Sequence, residues 1–305
     1  MKIAVVGATS TIAGDWVKHL RMKNEYVLFL FGRVANSYTG IKDYSEFGKD
    51  EYNVVVNFVG VGDPARAASI GANILVITNQ FDDMILAYLE KNPRCRYVFL
   101  SSGAALGSGY QEPASENTLA GFRINQLREQ DWYGISKFYT EAKHRALKDL
   151  DIVDIRVFNY LSNSMSLSAR FMITDAARAI YERCVFKTNS LNLVRDYLSE
   201  TDFCSLMDCI LEAEKANCAV DFFSAGPVSK FELLNTLKIQ FGLKYEVVQQ
   251  IDSVDATGIK LNYFSTNCTP ALRIGYKPQL KSIDNVVEVI KTWGQLGNKL
   301  VADKV

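Results

Sequence analysis

The sequence predicts an α/β fold built around a doubly wound parallel sheet. Short apolar runs rich in β-branched residues recur along the first half of the chain, and amphipathic stretches with helical spacing follow them. A glycine-containing turn joins the first run, KIAVV, to the first of these stretches. Repeated alternation of strand and helix is typical of parallel sheets that are covered by helices on both faces and joined by right-handed crossovers.

The elements of the first half can be placed in order. We predict buried strands at residues 2–6, 26–33, 52–60, 96–102 and 152–158. Helices are predicted over 72–90, where apolar residues recur at steps of three and four, and over 132–147. The segment 103–130 is rich in Gly, Ser, Asn and Gln and is predicted to be a long loop, a kind of loop that usually has a function.

The pattern becomes less regular after residue 160. A helix is expected near 174–185, followed later by a strand in AVDFF, a helix in KFELLNTLKIQ, a strand in YEVVQQ and a final amphipathic helix near 281–296. No internal repeat or low-complexity linker separates these elements from the first half. We therefore expect a second, smaller α/β unit that is woven onto the first.

Composition excludes several classes of protein. The 305 residues contain 34 basic and 34 acidic side chains, with no long block of like charge, which argues against nucleic-acid binding. The first apolar run stops at Gly7, too early for a signal peptide, and no stretch approaches the roughly 18 apolar residues of a membrane helix. Six scattered cysteines and two histidines make a metal site unexpected. We expect a cytoplasmic protein without a metal.

The turn GATSTIAG at 7–14 lies where the first strand becomes the first helix. Backbone N–H groups at a helix N-terminus attract a pyrophosphate, and Gly7 would make the tight turn. Ser10 and Ala13 stand where the strict dinucleotide-binding motif has glycines. We therefore interpret this turn as a dinucleotide-binding site. An ordinary turn is the alternative.

The end of the second predicted strand bears on the choice of cofactor. An acid at this place would hold the ribose 2′-hydroxyl of NAD, and a base would accept the 2′-phosphate of NADP. The sequence LFLFGR has no acid there and has Arg33. We therefore expect NADP(H), with NAD(H) possible. Arg33 as an ordinary surface charge is the alternative.

Tyr133 and Lys137 are four residues apart and would share one face of a helix. An adjacent ammonium stabilises a phenolate and lowers the pKa of tyrosine, so that Tyr133 could exchange a proton with a substrate oxygen. Ser101 and Ser102 end the fourth predicted strand, and Ser102 could donate a hydrogen bond to the same oxygen. Considered alone, Tyr133 and Lys137 could be an ordinary surface pair. Ser101 and Ser102 could simply begin a turn.

Together these motifs resemble the extended short-chain dehydrogenase/reductase family, which includes nucleotide-sugar epimerases, dehydratases and 4-keto-sugar reductases. The resemblance covers nearly the whole chain: GATSTIAG, VVVNFVG, FLSSGAALG, YGISKFYTE, RVFN, RDYLSETDF and ALRIGYKP match its motifs in order. It implies a Rossmann-type NAD(P)-binding domain over 1–160, with later returns near 190–225, and a smaller substrate-binding subdomain over 161–189 and 226–305. A homodimer is a further expectation from this family.

The resemblance also implies roles for individual residues. The catalytic residues would be Ser102, Tyr133 and Lys137. The cofactor would contact Gly7, Thr9, Ser10, Thr11, Ile12, Arg33, Asp43, Val59, Gly60, Asn79, Tyr133 and Lys137. The substrate would contact Ser102, Asn159 and Arg195, with the arginine on the nucleotide phosphates.

Three functions remain open from the sequence. Gly103 and Ala104 replace the Asp-Glu pair of the family's dehydratases, so dehydration is not expected. We favour the reduction of a nucleotide-linked 4-keto-6-deoxy sugar with NADPH. A nucleotide-sugar epimerase that keeps NAD bound is the alternative. A third hypothesis is a relative that binds the cofactor and catalyses nothing.

Overall fold

The computed structural model describes residues 1–33, 35, 38–61, 67, 69–107, 112–249, 260–266 and 268–302, the last seven by their backbone alone. The strands of this part are β1 (Lys2–Val6), β2 (Val27–Gly32), β3 (Ile41–Asp43), β4 (Val54–Asn57), β5 (Arg96–Ser102), β6 (Ile152–Val157), β7 (Val185–Thr188), β8 (Val194–Arg195), β9 (Asn217–Asp221), β10 (Val228–Ser229), β11 (Lys244–Val247) and β12 (Asn262–Tyr263). The helices are α1 (Thr11–Lys23), α2 (Asn73–Lys91), α3 (Asp131–Ala146), α4 (Met172–Tyr181), α5 (Glu200–Glu212), α6 (Lys230–Phe241), α7 (Thr269–Arg273) and α8 (Ser282–Ala302).

The main sheet confirms the predicted fold class. Its order is β3-β2-β1-β4-β5-β6-β9, and each neighbouring pair is parallel. The direction of winding reverses beside β1, which lies between β2 and β4. In doubly wound folds the carboxyl ends of the strands at this switch point open the crevice that binds a ligand.

The regular elements of the first half lie close to their predicted positions. β1 and β5 have the predicted bounds, and β2, β4 and β6 are shorter than predicted at one or both ends. Helices α2 and α3 also differ by one residue at each end. In the segment predicted as a loop, the described residues form two single-turn 3₁₀ helices, Gly103–Leu106 and Ile124–Gln126, and isolated β-bridges at Gly107, Ala114 and Gly121.

The second half departs from the prediction in several places. The helix predicted near 174–185 ends earlier in the structure. Helix α4 stops at Tyr181, Arg183 adopts a φ of 56°, and β7 begins at Val185. The strand predicted in AVDFF begins two residues earlier, as β9, and α8 continues to Ala302. Helices α5 and α7 and the short strands β3, β7, β8, β10 and β12 were not predicted.

Apolar side chains cover both faces of the main sheet. On one face Trp16 of α1 and Phe203 of α5 are fully buried against the strands. On the other face Ile85 of α2 packs with Tyr97 and Phe99 of β5, and all three are fully buried. Burying a side chain of this size contributes about 1.5–3 kcal/mol, so these helices are held mainly by packing.

A separate core lies in the C-terminal part of the chain. It contains Leu233 and Leu237 of α6 together with Ile290 and Trp293 of α8, all at most 4% exposed. Its strands form two small sheets, one in the order β10-β8-β12 and one that pairs β11 with β7. β9 nevertheless joins the main sheet. The exact domain bounds stay a prediction.

Asp15 of α1 ties the first unit to the segment that leaves β6. Its buried carboxylate accepts hydrogen bonds from the hydroxyls of Tyr160 and Ser162, each at 2.7 Å, and from that of Ser164. Three donors on one carboxylate satisfy a charge that would otherwise be costly to bury. The helix that follows the glycine turn is thus fixed to the start of the second unit.

None of the helices in the described residues is both long enough and apolar enough to cross a bilayer.

Candidate active site

The glycine turn packs tightly against the segment after β4. Gly7 has a φ of +85°, and a Cβ atom at this position would lie 2.9 Å from the Phe58 carbonyl carbon and from the Val59 nitrogen. Only glycine fits such a close approach without strain. The Ser10 side chain caps α1 by accepting a hydrogen bond from the Ala13 N–H at 3.3 Å.

After the buried Ala8, residues 9–12 of the turn are exposed or half-buried. Thr9 and Thr11 are exposed, and Ser10 and Ile12 are half-buried. The N-terminus of a 13-residue helix therefore opens at the crevice beside β1 and β4. This cradle, whose tight turn a side chain at residue 7 would disrupt, fits a dinucleotide pyrophosphate.

Arg33 and Asp43 lie at the same edge of the sheet. Gly32, which precedes Arg33, is paired with Asp43 in register. The Asp43 carboxylate accepts hydrogen bonds from the N–H and hydroxyl of Ser45, which lower the pKa of the carboxyl. Arg33 is exposed and is close enough to Tyr44 to act on its pKa. A base and an acid thus border the place where the adenosine half of a dinucleotide would lie.

Ser102, Tyr133 and Lys137 come together as the sequence predicted they would. Ser102 ends β5, and its Oγ accepts a hydrogen bond from the Ala104 N–H at 3.2 Å. The Tyr133 hydroxyl interacts with the Ser102 side chain. Lys137 Nζ donates a hydrogen bond to the Leu100 carbonyl at 2.8 Å and lies 5.8 Å from the centre of the Tyr133 ring.

Lys137 is held in a buried position. Its side chain is 2% exposed, and Nζ lies 4.3 Å from the centre of the Phe99 ring. A Cβ atom on Gly60 would lie 3.5 Å from Nζ, so the segment after β4 borders this lysine. Burial lowers the pKa of Lys137 to about 8, and the carboxylates of Glu141, Asp82 and Asp154 oppose that change.

The expected lowering of the pKa of Tyr133 is not observed. Burial raises this pKa above its ordinary value, and the interaction with Ser102 only partly opposes the change. The Lys137 ammonium is directed to the Leu100 carbonyl and the Phe99 ring rather than to the phenol oxygen. In this state Tyr133 keeps its proton at neutral pH.

Tyr263 and Lys260 also reach the site, although sequence reasoning missed them. The Tyr263 hydroxyl lies 3.2 Å from Ser102 Oγ, and Lys260 Nζ lies 4.4 Å from the centre of the Tyr263 ring. The two-residue strand β12 brings them there by pairing with β8. So short a strand leaves no periodic signal in the sequence.

Of the predicted substrate residues, Arg195 adjoins Tyr263, and Asn159 follows the carboxyl end of β6. Arg195 pairs with Tyr263 across β8 and β12, and its guanidinium lies 5.9 Å from the centre of that ring. The side-chain nitrogen of Asn159 is buried and has no hydrogen-bond partner among the described residues. Because an orphaned buried donor is costly, this nitrogen is suited to a bound ligand.

Asn79 is not brought into this group. Its side-chain nitrogen donates a hydrogen bond to Asp83 at 2.6 Å, and its oxygen accepts one from Lys143 at 2.9 Å. The first contact lies within α2, and the second joins α2 to α3. The position of Asn79 therefore gives no support to the cofactor contact that we expected.

The residue after Ser102 has no room for a side chain. A Cβ atom on Gly103 would lie 2.4 Å from two atoms of the Phe158 ring. The carboxylate of a dehydratase could not stand there unless Phe158 moved. This packing agrees with the expectation that the chain does not dehydrate its substrate.

The fold and the site together define a dinucleotide-binding α/β enzyme with a Ser-Tyr-Lys group. Residues 3–223 match the sequence model of the NAD dependent epimerase/dehydratase family. The chain belongs to this family, whose members are NAD(P)-dependent enzymes of the short-chain dehydrogenase/reductase type. The prediction of the family and of an enzyme is confirmed.

Solved structures share this fold over nearly their full length. UDP-glucose 4-epimerase from Stenotrophomonas maltophila, with bound NAD and formylated UDP-arabinopyranose, has a TM-score of 0.80 at 15% identity, covering 98% of this chain and 99% of its own. UDP-glucose 4-epimerase from Thermotoga maritima with UDP-glucose has a TM-score of 0.78 at 16% identity, with coverage of 97% and 99%. RMD from Pseudomonas aeruginosa with NADPH has a TM-score of 0.74 at 17% identity, with coverage of 96% and 98%. No curated protein matches the sequence.

Proposed function

We propose that this protein reduces a nucleotide-linked 4-keto-6-deoxy sugar with NADPH. The observation that carries the proposal is the meeting of Ser102, Tyr133 and Lys137 at the carboxyl end of β5, beside the segment after β4. This is the edge of a doubly wound sheet at which ligands bind. The group combines two hydroxyls and an ammonium, which suits proton transfer to a carbonyl oxygen.

The cofactor would lie along the crevice between β1 and β4. The turn from Gly7 to Ile12 would hold the pyrophosphate, Asp43 and Arg33 would border the adenosine, and Val59, Gly60, Tyr133 and Lys137 would border the nicotinamide half. When bound, NADPH supplies the hydride. Arg33 and the absence of an acid directly after β2 favour NADPH over NADH.

Tyr133 would give its proton to the substrate oxygen. Its raised pKa keeps the phenol protonated at neutral pH, which suits a donor. Ser102 Oγ would donate a hydrogen bond to the same oxygen and hold it near the phenol. The Lys137 ammonium would stabilise the phenolate that remains, since opposite charges favour the ionised form.

The nucleotide end of the substrate would lie towards the second unit. The planar Arg195 guanidinium can bind phosphate oxygens at two points, and the orphaned Asn159 nitrogen can donate to the substrate. Two of the similar structures carry UDP-sugars, which supports a nucleotide sugar as the substrate class. The tight contact of Gly103 with Phe158 supports reduction or epimerisation over dehydration.

Epimerisation is the second candidate. It is favoured by the likeness to two UDP-glucose 4-epimerases, one of which holds NAD. An epimerase needs Tyr133 first as a base, and then as an acid when the hydride returns. The raised pKa of Tyr133 fits the donor role of a reductase better than this first step.

Cofactor stoichiometry separates the two candidates. The protein is mixed with NADPH and either dTDP- or GDP-linked 4-keto-6-deoxy sugars, and separately with UDP-glucose and NAD. Reduction consumes one NADPH for each sugar converted, whereas epimerisation gives product with no net change of cofactor. Tight binding of NADPH without turnover of any of these sugars would favour the non-catalytic relative.

We also propose that the chain is cytoplasmic, with an NAD(P)-binding domain over 1–160 that has returns near 190–225 and a substrate-binding subdomain over 161–189 and 226–305. We further propose that the chain forms a homodimer. Apolar side chains on the outer sides of α2 and α3 support a subunit contact there. Val76, Phe138 and Tyr139 are 65%, 40% and 53% exposed. Light scattering at the mass of one chain would contradict the dimer.

A further inference from the structure

Below the candidate active site, the side of α3 that faces the sheet is polar. Lys137, Glu141 and His144 follow at steps of four and three residues, and are 2%, 6% and 0% exposed. The buried stripe of a helix is usually apolar, and a buried charge is costly unless it is paired. The partners of these side chains therefore indicate what the face does.

His144 joins α3 to α2 and β6. Its Nε2 lies 2.8 Å from Asp82 Oδ1, and its Nδ1 lies 2.7 Å from Asp154 Oδ1. A carboxylate only accepts, so two such bonds require a proton on both ring nitrogens. Burial alone would lower the pKa of His144, but the two carboxylates outweigh it and raise the pKa to about 9. Lys143 Nζ lies 2.7 Å from Asp82 Oδ2, and Arg145 Nη2 lies 2.7 Å from Asp154 Oδ2.

From Asp82 the hydrogen bonds continue to the segment after β4. The Tyr97 hydroxyl donates to Asp82 Oδ1 at 2.9 Å and accepts from the Asn57 side-chain nitrogen at 3.0 Å. The Asn57 side-chain oxygen then accepts from the Val59 N–H at 2.9 Å. Asp82, Tyr97 and Asn57 are at most 1% exposed. This buried series of hydrogen bonds thus ends at the Val59 backbone, which is proposed to border the nicotinamide.

The same residues support Lys137 from below. The Phe99 ring carries Lys137 Nζ on its face, 4.3 Å from the ring centre. The Phe99 ring also packs against His144, whose ring centre lies 5.6 Å away at an interplanar angle of 88°. Gly60 also borders Lys137 Nζ, which would lie 3.5 Å from a Cβ atom at that position. The series therefore reaches both sides of the gap between Lys137 and Gly60.

We propose that Asn57, Tyr97, Asp82, His144 and Asp154, here called the buried relay, are positioning residues for the cofactor. They hold the Val59–Gly60 backbone at a fixed distance from Lys137. This inference rests on the proposed function, since both groups are proposed cofactor contacts. If the relay served stability alone, cutting it by a substitution would leave the cofactor affinity of the folded protein unchanged.

Tyr97→Phe cuts the relay with the smallest change of shape. It keeps the ring contacts with Phe99 and His144 and removes only the hydroxyl between Asn57 and Asp82. Tyr88→Phe is the matched control. Tyr88 belongs to the same core, is 8% exposed, and its oxygen accepts a hydrogen bond from the Tyr52 N–H at 2.7 Å, outside the relay.

Two measurements test the relay. Fluorescence titration gives the Kd for NADPH, and hydrogen exchange gives the protection of the amides of residues 57–60 in the cofactor-free protein. Because the cut would release the backbone proposed to border the nicotinamide, we expect the Kd of Tyr97→Phe for NADPH to rise about tenfold. We also expect faster exchange at 57–60, with Tyr88→Phe like the wild type in both measurements.

Equal affinities and equal exchange in Tyr97→Phe and Tyr88→Phe would overturn the relay. If Tyr97→Phe does not fold, His144→Gln takes its place. His19→Gln is then the control, because His19 also pairs with a carboxylate, that of Asp208 at 3.0 Å. A wild-type protein that binds no NADPH or NADH would refute the proposed function instead, and the exchange at 57–60 would still decide whether the relay holds this backbone.

Discussion

The Tyr263 hydroxyl lies 3.2 Å from Ser102 Oγ, although 161 positions separate the two residues. Ser102 ends a strand of the main sheet, and Tyr263 belongs to a small sheet of the second unit. Tyr133 reaches the same serine from α3. The candidate site is thus completed where the two halves of the chain meet.

Removal of the Ser102 hydroxyl should slow the reaction. We expect Ser102→Ala to lower kcat by about 100-fold, the usual effect of losing one donor to a reacting oxygen, with the Kd for NADPH nearly unchanged. Tyr263→Phe leaves the serine hydroxyl in place and should have a smaller effect on kcat. Steady-state kinetics would contradict the role of Ser102 if the alanine variant turned over at the wild-type rate.

Gly7 should tolerate no side chain. Gly7→Ala would place a Cβ 2.9 Å from backbone atoms of Phe58 and Val59 at a φ of +85°. We expect the free energy of unfolding to fall by about 1–3 kcal/mol and NADPH binding to weaken. Gly14→Ala, in α1 with open space around it, should instead gain about 0.5–1 kcal/mol. Chemical unfolding measures both, and equal effects would contradict the tight turn.

Arg33 should distinguish the two nicotinamide cofactors. We expect Arg33→Ala to weaken NADPH about tenfold or more, because a charge-assisted contact to a phosphate is lost, and to leave NADH nearly unaffected. Titration of both cofactors measures the ratio. Equal losses for the two would show that Arg33 does not contact the 2′-phosphate.

His144 should make stability depend on pH. Its pKa in the folded protein is about 9, above the ordinary value of 6.5. The stabilisation is therefore complete below the ordinary pKa and is lost as the pH rises through the folded one. The pKa of Lys137 is lowered to about 8, so its titration acts in the opposite direction only above that pH.

The free energy of unfolding should accordingly fall by about 1–2 kcal/mol between pH 6.5 and 8. In His144→Gln this slope should be much flatter. Urea titrations at several pH values measure it, with His19→Gln as the comparison. The same slope in His144→Gln and the wild type would mean that another group causes it.

The sequence predicted the main sheet well because its strands are continuous apolar runs. β1 and β5 are buried on both faces, and such runs differ clearly from the amphipathic helices between them. The Ser-Tyr-Lys group was predictable because Tyr133 and Lys137 lie within one helical turn. Their meeting with Ser102 then followed from its place at a strand end.

The parts that were missed depend on contacts between distant residues. Strand β12 has two residues and exists only through its pairing with β8, so neither Tyr263 nor Lys260 could be placed. Helix α5 did carry a local signal, because Ser199 caps it by accepting from the Asp202 N–H at 3.0 Å. Serine followed three residues later by an acid is a known helix start, and it was passed over within RDYLSETDF.

The pKa of Tyr133 could not be foreseen from spacing alone. Four residues on a helix bring Lys137 near the phenol ring, but Nζ is drawn to the Leu100 carbonyl. Burial then decides the direction in which the pKa moves.

The central claim is that Tyr133 donates the proton in a reduction by NADPH. The most direct test follows NADPH consumption at 340 nm with a nucleotide-linked 4-keto-6-deoxy sugar for the wild type, Tyr133→Phe and Tyr139→Phe. Tyr139 lies on the same helix, and Tyr139→Phe keeps the apolar ring of the proposed subunit contact, so this variant should behave like the wild type. We expect Tyr133→Phe to lose a factor of about 100 to 10,000 in kcat while it binds NADPH normally. Turnover by Tyr133→Phe at the rate of Tyr139→Phe would contradict the claim.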